Sequence, residues 1–192
     1  KTGFGKTACA CDAISRVGRK TLVIVPGSVL MEQWVGAVNK FLPGASVGTI
    51  RQDTYDVHGK DVVIGMLKSL AIPERYPEGM AAEFGLVVWD EVHRVPADTF
   101  QNTVFMFPAK RRLGLSAEPS RPDGREVAIW AHIGPVRVQT DMPVLTPKVA
   151  VYASPWRCPP GIPHSAGKCG HIITNMARHR ARNSMLAGIV LS

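Results

Sequence analysis

The sequence lacks an apolar run of the length that a membrane-spanning helix requires, roughly 20 residues. Two of its apolar stretches, TLVIVP and GLVVW, are short and rich in β-branched residues, which is typical of buried strands. Cysteine is also scarce, with four residues that form no pattern of a secreted disulfide framework. We therefore expect a cytoplasmic globular protein with no membrane partner.

Acidic residues are fewer than basic ones. The sequence has 15 Asp and Glu against 23 Lys and Arg, which gives a net charge of +8 and a pI of about 9.6. With 45% hydrophobic and 20% charged residues, the composition is that of a folded protein rather than a disordered one. The positive balance favours partners rich in phosphate, although alone it identifies none.

The chain opens on KTGFGKT, which ends in Gly5-Lys6-Thr7. These residues match the end of the phosphate-binding P-loop, G-x-x-x-x-G-K-[ST], whose first glycine would stand one position before Lys1. We therefore expect the chain to start inside the motif, after the strand that delivers the loop. Lys6 would reach the β- and γ-phosphates, and the Thr7 hydroxyl would bind Mg²⁺. The predicted ATP-binding residues are Gly3, Phe4, Gly5, Lys6 and Thr7.

A second motif, VVWDEVH, places two adjacent carboxylates directly after an apolar strand. In parallel α/β sheets, ligands bind at this carboxyl edge. Asp90 would hold Mg²⁺ and Glu91 would polarise the attacking water, so that Asp90, Glu91 and Lys6 form the predicted catalytic set. An exposed acidic turn would explain neither the apolar run before the pair nor the His93 that follows it.

Apolar strands alternate with helical patterns over most of the chain, which predicts a parallel sheet covered on both faces. The predicted strands end at Pro26, Met66, Trp89 and Ser116. Ser28 is the predicted N-cap of a helix whose apolar stripe would comprise Leu30, Trp34, Val38, Phe41 and Leu42. Further on, VRVQT and KVAVYASPW are predicted strands, and residues 171–192 are predicted to be helical.

The motif order resembles that of superfamily 2 helicases: GKT, VIVPGSVLMEQW, VVIGMLKSL, DEVH, then SAEPSRPDG. The extended last motif and HIGPV resemble the DEAD/DEAH-box helicases of phages and their Rad25-type relatives. The resemblance implies a P-loop NTPase with a RecA-like fold, ATP and Mg²⁺ as cofactors, and DNA, or alternatively RNA, as partner. It implies that His93, Ser116 and Ala117 couple hydrolysis to movement. Residues implied along the nucleic-acid path are Pro26, Gly27, Ser28, Gln33, Ser69 and Arg121.

The resemblance also implies a domain organisation. Residues 1–145 would form the first RecA-like domain, and residues 146–192 would lead toward a second RecA-like domain, whose arginine fingers complete the ATP site in this family. One position departs from the family pattern Ser/Thr-Ala-Thr-Pro, because Glu118 replaces the second hydroxyl. A third carboxylate near Asp90 and Glu91 places the coupling of hydrolysis to movement in question.

Several alternatives stay open at this stage. The protein could instead be a double-strand translocase that feeds a nuclease, or a decayed nucleic-acid-binding module that no longer hydrolyses ATP. Trp34 is more consistent with a core residue than with a platform for base stacking. Zinc binding is disfavoured because the spacing of Cys158, His164, Cys169 and His171 fits no common finger.

Overall fold

The computed structural model describes residues 5–94, 97–118, 126–139, 150–158 and 169–191. The chain divides into two compact units, residues 1–142 and residues 143–192. In the described residues no helix is both long enough and apolar enough to cross a membrane.

The first unit carries five α-helices and six strands among its described residues, besides three short 3-10 helices. The helices are α1 (Lys6–Val17), α2 (Ser28–Phe41), α3 (Leu67–Leu70), α4 (Ala97–Met106) and α5 (Glu126–His132). The strands are β1 (Thr21–Val25), β2 (Val47–Arg51), β3 (Thr54–Tyr55), β4 (Val62–Met66), β5 (Leu86–Trp89) and β6 (Arg111–Gly114). The sequence indicated neither β3 nor α5.

The six strands form one sheet in the order β3-β2-β4-β1-β5-β6. Every pairing is parallel except that of β3, a two-residue strand antiparallel to β2 at the edge of the sheet. The centre of the sheet is β1, where Val23 lies beside Ile64 of β4 and Val88 of β5. The predicted fold class, a mostly parallel α/β sheet, is confirmed.

Alternate residues of the central strands point to opposite faces of the sheet, and each face is covered by helices. Leu22, Ile24 and Trp89 belong to one apolar core together with residues of α3 and α4. Val23 and Val88 belong to the other, together with residues of α1 and α2. Burial on both faces is the physical reason that these strands read as unbroken apolar runs.

The N-cap of helix α2 is one residue earlier in the chain than the sequence predicted. Gly27 is the N-cap and Ser28 is the first helical residue, so the prediction of Ser28 as the cap is wrong. Trp34 and Val38 are buried as the apolar stripe requires, but Phe41 is 45% exposed. Phe41 lies in the last turn, where the helix ends and Lys40 packs over its ring instead.

A small polar cluster fixes the segments that lead into β2 and β4. The Asp61 carboxylate accepts hydrogen bonds from the backbone N–H of Ser46 at 2.8 Å and from its hydroxyl at 2.7 Å. These two bonds favour the ionised carboxylate and hold the pKa of Asp61 below its ordinary value. The cluster aligns the starts of two neighbouring parallel strands.

The second unit differs from the sequence-based expectation. Residues 150–158, which include most of the predicted strand KVAVYASPW, are not a strand, and neither are residues 136–139 of the predicted strand VRVQT, at the end of the first unit. The predicted C-terminal helix is divided into α6 (Cys169–Ala177) and α7 (Arg180–Leu191). Within this unit, the indole N–H of Trp156 donates to the Asn175 side chain at 3.2 Å.

Candidate nucleotide site

The carboxyl edge of the sheet carries several of the polar residues that the motifs single out. The acidic pair Asp90-Glu91 directly follows β5, and Ser116 stands two residues after β6. Strands β5 and β6 are parallel neighbours, so their following loops lie side by side. This is the edge at which open α/β sheets bind ligands.

Helix α1 brings the end of the P-loop to the acidic pair. Gly5 is the N-cap with φ 87°, a left-handed conformation that glycine adopts without steric cost. Gly5 has no side chain with which to cap the helix, which leaves the N–H groups of its first turn to an anion. The Lys6 ammonium lies 3.7 Å from Glu91 Oε1, which joins the two motifs across the site.

Asp90 is held in one orientation. Its side chain is buried, with the residue only 6% exposed, and its backbone N–H donates to the carbonyl of Ile24 in β1 at 2.9 Å. One carboxylate oxygen, Oδ1, accepts from the backbone N–H of Glu91 at 2.9 Å. The other, Oδ2, accepts from the indole N–H of Trp34 at 2.7 Å. The two donors, one at each oxygen, fix the plane of this buried carboxyl group.

Glu91 adopts φ 50°, a left-handed conformation that is uncommon for a residue with a side chain. This backbone turn directs Glu91 toward Lys6 on one side and His93 on the other. Oε2 of Glu91 is buried, has no hydrogen-bond partner among the residues that the structure describes, and lies 3.4 Å from Nδ1 of His93. An unusual backbone angle and an unsatisfied buried carboxylate oxygen are features that cluster at functional sites.

His93 connects the acidic pair to the loop after β6. Its Nδ1 lies 2.9 Å from the hydroxyl oxygen of Ser116. That hydroxyl also donates to the backbone carbonyl of Glu118, and the N–H of Glu118 donates back to it at 3.0 Å. Because the single hydroxyl proton goes to the carbonyl, the ring nitrogen serves as the donor in the bond to Ser116.

The residues expected along a nucleic-acid path are spread over several environments. Gln33 is exposed, whereas Pro26, Gly27, Ser28 and the coupling candidate Ala117 are half-buried. Ser69 is 4% exposed, and its hydroxyl accepts from the backbone N–H of Gln52 at 2.9 Å. Gly3, Phe4 and Arg121 lie outside the described residues.

The cysteines separate into different environments. Cys11 is buried in α1, and burial raises the pKa of its thiol, whereas Cys9 is exposed. Cys158 is half-buried. Across the described ranges, no three His, Cys, Asp or Glu side chains are grouped closely enough to hold a metal ion. His164 lies outside those ranges.

The contact between Trp34 and Asp90 is the feature that sequence reasoning missed. Trp34 was expected either in the core or as a stacking surface, and the structure buries it with only 1% exposed. Its position on the sheet-facing stripe of α2 was visible in the sequence. Nothing in the sequence indicated that its N–H reaches the carboxyl end of β5.

These features define the class of protein: an α/β domain with the end of a P-loop and an acidic pair at one sheet edge, arranged as in the first RecA-like domain of superfamily 2 helicases. The chain belongs to the family described as "Type III restriction enzyme, res subunit", whose profile matches residues 1–121. The resemblance read from the motifs is thereby confirmed.

Relatives with similar sequences are also described as helicases. The chain is 32% identical over 163 residues to the Rad25 protein of Halobacterium salinarum, covering 81% of this chain. It is 34% identical over 139 residues to the QP509L protein of African swine fever virus, covering 69%, and 33% identical over 127 residues to the D10 protein of Escherichia phage T5, covering 66%. Their descriptions class all three as helicases. The chain spans only 27% of the length of each.

Solved structures share the fold. A hypothetical ATP-dependent RNA helicase from Sulfolobus tokodaii superposes with a TM-score of 0.57 and 21% identity, covering 69% of this chain and 44% of that one. The Sulfolobus solfataricus SWI2/SNF2 ATPase core, solved in complex with double-stranded DNA, gives 0.53 and 18%, covering 70% and 30%. At these identities the likeness supports the RecA-like fold and nothing more.

Proposed function

We propose that the chain is the ATP-binding motor domain of a nucleic-acid helicase or translocase. The observation that carries the proposal is the convergence of Lys6, Glu91, His93 and Ser116 into one connected set at the carboxyl edge of the sheet. Family membership and the descriptions of the relatives support it. Residues 1–145 would form this domain, and residues 146–192 would lead toward a second RecA-like domain.

The residues present fit Mg²⁺ and ATP. The uncapped first turn of α1, the left-handed Gly5 and the Lys6 ammonium suit a triphosphate. Thr7, in the same turn, and the fixed Asp90 carboxylate offer oxygen ligands of the kind that Mg²⁺ prefers. When bound, Mg²⁺ neutralises charge that develops on the phosphate oxygens.

In this proposal, Lys6, Glu91 and His93 each have a different role in hydrolysis. Lys6 binds phosphate oxygens and leaves its present contact with Glu91. Glu91, whose Oε2 is buried and unsatisfied, accepts a hydrogen bond from the attacking water and orients it. His93 then passes a change at Glu91 to Ser116 in the loop after β6.

The proposed partner is DNA, single- or double-stranded, with RNA as the alternative. The net charge of +8 favours either. The candidate contact residues are Pro26, Gly27, Ser28, Gln33, Ser69 and Arg121.

Because a motor of this kind consumes ATP inside the cell, we place it in the cytoplasm.

A second candidate function is translocation on double-stranded DNA in support of a nuclease. The observation that favours it is the matched family, which is described by the subunit of a restriction enzyme. A strand-separation assay distinguishes the two, because a translocase would hydrolyse ATP on duplex DNA and displace a bound block without separating the strands.

Binding of ATP tests the proposal. We expect Mg-ATP to bind the protein in isothermal titration calorimetry, and Lys6→Ala to weaken binding at least ten-fold by removing the cation that meets the phosphates. Lys40→Ala is the matched control, since Lys40 is an exposed lysine in the last turn of α2. Equal affinity in Lys6→Ala and Lys40→Ala would contradict the proposed site.

A further inference from the structure

Trp34 makes a polar contact that its role in the core does not require. The residue is on the sheet-facing side of α2 and is 1% exposed, and its Nε1–H donates to Oδ2 of Asp90 at 2.7 Å. A buried indole N–H needs an acceptor, but any backbone carbonyl would serve. Here the acceptor is the carboxylate that the proposed function assigns to Mg²⁺.

We propose that Trp34 is a positioning residue that orients the Asp90 carboxylate for the metal of the nucleotide site. The inference rests on the proposed function. The terminal torsion of an aspartate is soft, so the backbone of β5 alone does not fix the plane of its carboxylate. Two donors fix it: the N–H of Glu91 at Oδ1 and the indole of Trp34 at Oδ2.

Packing in the apolar core holds the indole of Trp34 at the level of the Asp90 carboxylate. Met31 and Val38 lie one turn before and one turn after Trp34 on the same stripe, and both are buried in the apolar core shared with Val25 and Val88. Asp90 follows β5 and is tied by its N–H to Ile24 of β1. Donor and acceptor are therefore each anchored by separate elements, which is the arrangement that pre-organises a ligand.

The chemistry of the donor suits this task. An indole N–H is neutral and only donates, so it directs a carboxylate oxygen without bringing a positive charge that would repel Mg²⁺. It occupies one lone-pair direction of Oδ2 and leaves the others to the metal. Partners that orient a ligand in this way typically contribute ten- to a hundred-fold to metal affinity.

The first experiment tests the contact itself by NMR of the intact protein. The indole ¹H–¹⁵N resonance of Trp34 should exchange slowly with solvent and shift when Mg-ATP is added. In Asp90→Ala, which removes the acceptor, the resonance should move and exchange at least ten-fold faster. An indole resonance with unchanged position and exchange in Asp90→Ala would overturn the proposal, and this measurement does not require a Trp34 variant to fold.

The second experiment measures how ATP affinity depends on Mg²⁺ in wild type, Trp34→Phe and Trp156→Phe. Phe fills most of the indole's volume but cannot donate, and Trp156 is a control whose N–H bonds Asn175 in the other unit. We expect Trp34→Phe to raise the Mg²⁺ concentration for half-maximal binding about ten-fold, with metal-free ATP affinity within two-fold of wild type. Trp156→Phe should match wild type.

Two results would count against the inference and are distinguishable. If wild type binds Mg-ATP and Trp34→Phe shows the same Mg²⁺ dependence, Trp34 only packs and the inference is wrong. If wild type itself shows no Mg²⁺-dependent binding of ATP, the proposed function fails and the inference fails with it. A loss of metal-free affinity equal to the loss with Mg²⁺ would indicate a general structural effect and would also overturn it.

Discussion

Nδ1 of His93 lies 2.9 Å from the hydroxyl oxygen of Ser116 and 3.4 Å from Oε2 of Glu91. The imidazole therefore bridges the loop after β5 and the loop after β6. With Lys6 at 3.7 Å from the same glutamate, contacts run without interruption from the start of α1 to the loop after β6. A change at Lys6 therefore has a physical route to Ser116.

Ser116→Ala should weaken the coupling between nucleic acid and hydrolysis. The substitution removes the bond to His93 but leaves Lys6, Asp90 and Glu91 in place. In the full-length protein we expect nucleic acid to stimulate ATPase about ten-fold less, within the usual range of coupling energies, with ATP affinity within two-fold of wild type. Steady-state ATPase with and without DNA measures this. Ser15→Ala, an exposed serine in α1, is the control, and normal stimulation in Ser116→Ala would contradict the assigned role.

Glu118→Thr should increase coupling. The Glu118 side chain is exposed, and the residue holds Ser116 through its backbone N–H and carbonyl, which the substitution keeps. The prediction is that its carboxylate repels the acidic pair by about 1 kcal/mol unless Arg121 neutralises it. We expect higher DNA-stimulated ATPase with unchanged ATP affinity.

Comparison with Arg121→Ala separates the two cases for Glu118. If an ion pair neutralises the glutamate, Arg121→Ala lowers activity and Glu118→Thr changes little. Lower activity in Glu118→Thr itself would show that the glutamate has a positive role in the motor.

The 192-residue chain by itself should hydrolyse ATP very slowly. The family resemblance implies that arginines of a second RecA-like domain complete the site, and such arginines contribute roughly 10³–10⁵ in rate. We expect ATP binding without substantial turnover, measured by steady-state ATPase in the presence of single-stranded DNA. Robust DNA-stimulated turnover by this chain would show that the site is already complete.

Asp61→Ala should lower the free energy of unfolding at neutral pH. It should also make that free energy depend less on pH in the acid range. Bonding to Ser46 lowers the pKa of Asp61 in the folded state, so its contribution is present above the unfolded pKa. The contribution is lost as the pH falls through the lower, folded pKa, which places the window below about pH 4. Urea denaturation between pH 2.5 and pH 7, at roughly half-unit steps, measures both effects.

Asp12→Ala is the matched control for Asp61→Ala. Asp12 is exposed and pairs with Arg16 one turn along α1, a type of contact that contributes little to stability. We expect the acid dependence of Asp12→Ala to follow wild type. Parallel curves for Asp61→Ala and wild type would show that the Ser46 cluster does not stabilise the fold.

The sequence by itself determined the sheet and the location of the site. Strands buried on both faces are unbroken apolar runs, so TLVIV, VVIGM and LVVW were visible without coordinates. The P-loop residues and the DEVH motif follow local patterns of fixed spacing, which is why Lys6, Asp90 and Glu91 could be named in advance.

The tertiary structure alone decided the contacts that cross elements. The left-handed φ of Glu91 and the bridge from His93 to Ser116 depend on how β5 and β6 end beside each other. Periodicity assigned Trp34 to the sheet-facing side of α2, but its bond to Asp90, 56 positions further along the chain, requires α2 to pack on the sheet with the indole beside the carboxyl end of β5. Hydrophobic periodicity encodes which side of an element is buried, whereas the polar partner that a buried side chain meets is set by packing between distant segments.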